Sequence, residues 1–149
     1  MAATILLADD NPNARRMGTA YLEDLGYAVR TAADGPAAWD ELERLYTGQD
    51  GAPAQTPALI LADAGLPGCS GIELCRRVKA RPEWRHIPVL ILVGALAPVA
   101  AGSLAEADGV LRKPLSSAGL QRWLQKTPQE LLVLAVREAA SGDLASPTP

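Results

Sequence analysis

Phenylalanine is absent from this 149-residue chain, and aromatic residues of any kind make up only 4%. The large aromatic side chains are three tryptophans and three tyrosines. Trp39, Trp84 and Trp123 are scattered along the sequence and read as packing residues. Cysteine is as scarce: Cys69 and Cys75 form neither a metal-binding spacing nor a redox motif, and read as reduced thiols of a cytoplasmic protein. No apolar run approaches the length of a membrane span. The N-terminus lacks a basic region followed by an apolar stretch, so no signal peptide is expected. Positive charge is not in excess either. The net charge is −3 and the pI near 5.1, unlike the clustered basic footprint of a nucleic-acid binder, so no direct nucleic-acid binding is expected.

What is present is apolar residue, 48% of a chain one domain long. It comes in short runs, predicting strands at 4–8, 27–31, 58–62, 88–93 and 109–112. Helical patterns separate them. The first is capped by Asn11 with Pro12 in its first turn, carries Met17, Tyr21, Leu22 and Leu25 at helical spacing, and stops at Gly26. The second opens at Asp34-Gly35-Pro36 and runs through Trp39, Leu42 and Leu45. A Gly- and Pro-rich loop spans 48–57. A third helix at 72–80 turns Leu74, Cys75 and Val78 inward, with Arg76, Arg77, Lys79 and Arg81 as its solvated face. A weak helix at 98–107 is interrupted by Gly102, and another at 116–126 carries Leu120, Trp123 and Leu124. Strand–helix alternation of this kind predicts an open, doubly wound parallel sheet with helices on both faces. Residues 1–126 form this domain. Thr127-Pro128-Gln129-Glu130 is a capping box that opens an additional helix over 127–140, and 141–149 is expected to be a disordered tail.

The chemistry lies at the ends of three strands. Asp9 and Asp10 follow the first, Asp63 the third, and Lys113 the fifth. Ligand sites in such sheets lie beyond the carboxyl ends of the strands, which brings three carboxylates and one ammonium to one edge. Carboxylates gathered that closely repel unless a cation sits among them, and oxygen donors with room for water suit Mg²⁺. His86, in a loop before Ile87-Pro88 and far from those ends, reads as a surface or packing residue.

Asp-Asp after strand one, Asp63 followed by Leu66-Pro67 and Gly71, and Lys113-Pro114 together resemble the receiver domain of two-component response regulators, over about residues 4–126. The resemblance implies the flavodoxin-like five-stranded order 2-1-3-4-5. It implies that Asp63 is the phosphoacceptor, loaded by a histidine kinase or phosphotransfer protein with Mg²⁺. Asp10, Asp63 and the backbone carbonyl of Gly65 would be metal ligands, with Asp9 helping through water. Lys113 would pair with a phosphoryl oxygen, beside a cis Lys113–Pro114 bond. Such a domain catalyses its own phosphorylation and dephosphorylation and is not otherwise an enzyme. A hydrolase of aspartyl-phosphate type would carry an acid two residues past the nucleophile, where this chain has Gly65.

Two positions depart from the family pattern. Val93 stands where the family has Thr or Ser, and Val110 where it has Tyr or Phe. A hydroxyl that reports the phosphoryl group and a ring that swings behind it are both missing. The expectation is a receiver that accepts phosphate and acts through a downstream protein partner, without a DNA-binding domain of its own. The rival is a phosphorylation-independent pseudo-receiver, a constitutive interaction module. The helix at 127–140 leaves open packing on the domain, pairing with another chain (a homodimer included), or leading on to an output region.

Overall fold

All five apolar runs are strands in the computed structural model, which describes residues 3–48, 51, 53–94 and 106–124. The elements are β1 (Thr4–Ala8), α1 (Pro12–Asp24), β2 (Ala28–Ala32), α2 (Gly35–Thr47), β3 (Leu59–Asp63), α3 (Gly71–Ala80), β4 (Val89–Val93), β5 (Gly109–Arg112) and α4 (Ser117–Leu124). The predicted edges hold to within a residue or two, with one useful shift: Asp63 is the last residue of β3. Of the helix predicted at 98–107 only 106 and 107 are described, and they lie in a turn ahead of β5; the helix predicted at 127–140 and the tail at 141–149 lie outside the described residues.

The strands form one parallel sheet in the order β2-β1-β3-β4-β5. Side chains alternate between its faces, and the two faces bury separate clusters. Leu6, Ile60 and Ile91 face α2 and α3 with Leu42, Leu74 and Trp84. Ile5, Leu61 and Leu92 face α1 and α4 with Leu22, Leu120 and Trp123. Burial on both faces explains why the central strands are continuously apolar rather than alternating.

Helix starts follow their caps. Asn11 Oδ1 accepts from the N–H groups of Asn13 and Ala14, Asp34 Oδ1 from Ala37, and Ser70 Oγ from Glu73. Each satisfies backbone donors that the first turn leaves unpaired.

The expected solvated face of α3 is only half correct. Arg76 and Arg77 are exposed, but Lys79 is mostly buried and pinned. Its Nζ donates to the carbonyls of Arg85 and Ile87 and to Asp108 Oδ2 at 2.8 Å. Arg81 stacks over the Trp84 ring, its guanidinium carbon 3.7 Å from the ring centroid, and pairs with Glu43 and Glu83. The tryptophans do pack, but two of them are scattered only in sequence: Trp39 meets Trp84 edge to face, centroids 4.9 Å apart. In α1, Leu22 is buried as its spacing implies, whereas Met17 is 49% exposed. Long side chains and helix faces meet partners remote in sequence, which helical periodicity does not encode.

Candidate functional site

Register brings the strand ends level. Ala8 of β1 pairs with Ala62 of β3, Asp63 with Leu92 of β4, and Val93 with Arg112 of β5. The residues that leave these ends are therefore neighbours: Asp9, Asp10, Asp63 and Lys113 meet at the carboxyl edge of the sheet.

Asp9 is fully buried and Asp10 is exposed. Asp9 Oδ1 accepts from the Asn11 N–H at 2.9 Å, and the Asp9 carbonyl accepts from Arg15 Nη1 at 2.7 Å. Asp63 Oδ1 accepts from the Gly65 N–H at 2.9 Å, while Oδ2 accepts from Lys113 Nζ at 2.5 Å. Lys113 Nζ is also 2.8 Å from Asp9 Oδ2. That second contact is a charge pair without hydrogen-bond alignment, so this buried oxygen has no aligned donor. Burial pulls the Lys113 ammonium down, but Asp63 and Asp9 outweigh it and hold the group above the ordinary lysine value.

One oxygen each from Asp9, Asp10 and Asp63 lies within 4.8 Å of the others. Three hard carboxylate oxygens, one of them buried without an aligned donor, fit Mg²⁺: the ion takes few protein carboxylates and keeps several waters. Asp10 is open to solvent, which leaves room for those waters.

The segment after β3 is held by close backbone contacts. A Cβ on Gly71 would strike the carbonyl of Asp63, and a Cβ on Gly35 would strike the carbonyl of Cys69. The Gly35 N–H donates to the Pro67 carbonyl at 3.1 Å, and Leu66 is buried. The N-terminus of α2 thus clamps the Asp63 loop. The Lys113–Pro114 bond is cis. Val93 and Val110 are both buried, in the apolar cluster on the α2–α3 face. His86 is exposed and lies before β4, at the opposite edge of the sheet.

The four charged residues singled out in the sequence do meet at one edge, and two neighbouring supports are not legible from it. Arg15, six residues past Asp9, holds its carbonyl. Gly35 was legible only as part of a turn, because its role depends on a loop more than thirty positions downstream.

Residues 5–125 match the family profile of the response regulator receiver domain. Among curated relatives, the response regulator PleD of Caulobacter vibrioides is 37% identical over 92 residues, covering 62% of this chain but only 18% of its own length. The chain therefore spans a small part of that relative. Among solved structures, the chemotaxis response regulator CheY4 of Vibrio cholerae superposes with a TM-score of 0.68 at 27% identity, covering 89% of this chain and 100% of that one. The receiver domain of a sensor histidine kinase from Pseudomonas aeruginosa, solved with a magnesium ion coordinated in its active-site cleft, matches at TM-score 0.64 and 28% identity, covering 87% and 99%.

Proposed function

The chain belongs to the response regulator receiver family, and we propose that it accepts a phosphoryl group on Asp63 from a histidine kinase or phosphotransfer protein. The observation that carries this reading is the double anchorage of Asp63, one carboxylate oxygen on the Gly65 N–H and the other on Lys113 Nζ, beside two further carboxylates.

A carboxylate oxygen of Asp63 attacks the phosphorus of the donor phosphohistidine. The P–O bond forms as the P–N bond breaks, and the imidazole leaves with the electron pair. Asp10, Asp63 and the Gly65 carbonyl are the groups that would hold Mg²⁺, with Asp9 in support. When bound, the ion supplies positive charge that offsets the negative charge of the transferring phosphoryl group. Lys113 exchanges its carboxylate partner for a phosphoryl oxygen, acting as a point charge. The buried Asp9 and Arg15 orient the first acidic pair, and the α2 N-terminus holds the Asp63 loop in position.

Output runs through contacts with a downstream protein. Residues 1–126 form the receiver unit, and 127–140 is an additional segment beyond it. Val93 and Val110 offer neither a hydroxyl nor a ring, so loading Asp63 moves the β4 and β5 ends less than in receivers that carry them.

The deciding experiment is intact mass after incubation with acetyl phosphate and Mg²⁺, with Asp63→Asn alongside. A phosphoryl adduct on the wild type alone is expected, and Asp10→Asn should require higher Mg²⁺ for the same yield. A folded wild type that gains no adduct at any quench time would instead mark a phosphorylation-independent interaction module.

A further inference from the structure

Lys113 holds Asp63 and Asp9 with its ammonium, and the same residue lines a cleft of about 370 Å³. The buried Asp9 lines it as well. Ala14 and Met17 of α1 form one apolar side, and Pro114 and Leu115 form the other. Among the described residues, only Met17 and Tyr46 are large hydrophobic residues exposed to solvent. Tyr46 meets the Trp84 ring edge-on, whereas Met17 stands in the cleft, which is open to a molecule arriving from solvent.

A phosphoryl donor that pairs with Lys113 must place its leaving group somewhere. Lys113 touches both Asp63 and the cleft, so the leaving group has an apolar hollow within one side chain's length. The volume admits a ring: a closed apolar cavity of about 150 Å³ holds benzene, and ligand pockets begin near 300 Å³. The polar residues at the mouth suit a carbonyl. Asn11 and Asn13 are exposed there, and their Oδ1 atoms already accept from Asn13, Ala14 and Arg16. Their amide NH₂ groups remain as donors. Lys113 is the single cation among the lining residues, so the cleft offers nothing to a second anionic group and disfavours nucleotides. An apolar acyl group fits it.

We propose that this cleft is a leaving-group subsite. It selects acyl phosphates with an apolar acyl group as low-molecular-weight phosphoryl donors, with Met17 and Ala14 setting the specificity. The inference rests on the reading of Asp63 as the phosphoacceptor. An Asp63 oxygen forms its bond to phosphorus as the bond from phosphorus to the acyl oxygen breaks, and the carboxylate leaves with the electron pair. A ring in the cleft is withdrawn from water; the methyl of acetyl phosphate leaves most of that space wet.

Benzoyl phosphate and acetyl phosphate, each with Mg²⁺, are compared by rapid-quench intact mass. Met17→Asp makes the wall polar, and Ala14→Leu fills the hollow. The ratio of the benzoyl to the acetyl rate constant is expected to fall about tenfold in both variants, and to hold in Tyr46→Ser on α2. Taking the ratio cancels any change in the reactivity of Asp63 itself. Phenacylphosphonate keeps the ring and the charged head but transfers nothing. Its ring protons are expected to show intermolecular NOEs to the Met17 ε-methyl, and to lose them in Ala14→Leu. Adducts from both donors at an unchanged ratio would overturn the subsite alone. Ring NOEs with no adduct from either donor would sink the phosphoacceptor reading, and the donor role with it.

Discussion

Lys113 Nζ sits 2.5 Å from Asp63 Oδ2, across fifty positions of sequence. The same ammonium is 2.8 Å from the buried Asp9, so one cation holds together two carboxylates that would otherwise repel. Replacing it leaves both anions in a site only partly open to water. Lys113→Ala is expected to cost about 1–3 kcal/mol in Mg²⁺-free buffer, between the values for exposed and buried pairs. Millimolar Mg²⁺ should restore much of that loss, because the ion supplies charge to the same oxygens. Urea denaturation with and without Mg²⁺ reads both effects. Equal stability of variant and wild type under both conditions would mean that the carboxylates are not coupled through Lys113.

Val93 ends β4, between β3, which ends in Asp63, and β5, which runs into Lys113. A hydroxyl there gains a hydrogen bond to a charged phosphoryl group, worth about 1.5–3 kcal/mol. Val93→Thr is therefore expected to lengthen the lifetime of the aspartyl phosphate about tenfold, at about 1 kcal/mol of stability in the unloaded state, where the hydroxyl is buried in an apolar cluster. Quenched-flow mass spectrometry measures the lifetime. In the wild type, a beryllofluoride titration should perturb amides in β4 and β5 only weakly; broad shifts through both strands would contradict the weak-coupling reading.

Burial pushes the Cys75 thiol up to about 12, with the nearby Lys79 opposing the shift and Asp108 adding to it. The folded value lies above the ordinary 9.0, so Cys75 contributes stability that is full below pH 9 and lost progressively as pH rises toward 12. Unfolding midpoints should fall faster across that window in the wild type than in Cys75→Ala. Iodoacetamide at pH 8 should modify half-buried Cys69 first, leaving Cys75 untouched until denaturant is added. Rapid native labelling of both thiols would refute the buried position of Cys75.

Lys79 ties α3 to the starts of β4 and β5 through Ile87, Arg85 and Asp108, and Asp108 Oδ2 also accepts from the Val89 N–H at 2.7 Å. Lys79→Met strips these contacts and leaves a half-buried carboxylate without its cation, for an expected loss of about 2–3 kcal/mol. Arg76→Met, three residues earlier on the exposed side, should change stability by no more than about 0.5 kcal/mol. Comparable losses in the two variants, by urea denaturation, would show that Lys79 is no staple.

The strands, the described helices, the fold class and the meeting of four charged residues at one sheet edge were legible in the order of the residues. Strands buried on both faces must be continuously apolar, as Ile5 to Ala8 and Leu59 to Ala62 are, and a parallel sheet sends every strand's carboxyl end to one edge. Asp9, Asp10, Asp63 and Lys113 then converge by chain direction alone. Tertiary structure decided what distance alone can decide. It turned Lys79 and Arg81 from solvent toward Asp108 and Trp84, joined Trp39 to Trp84, and left Met17 exposed beside a cleft. It also set Gly35 against the Asp63 loop, where only a residue without a Cβ fits. Each of these depends on which surfaces meet across the sheet or between helices, and that geometry is written in the packing of distant segments rather than in the spacing of neighbours.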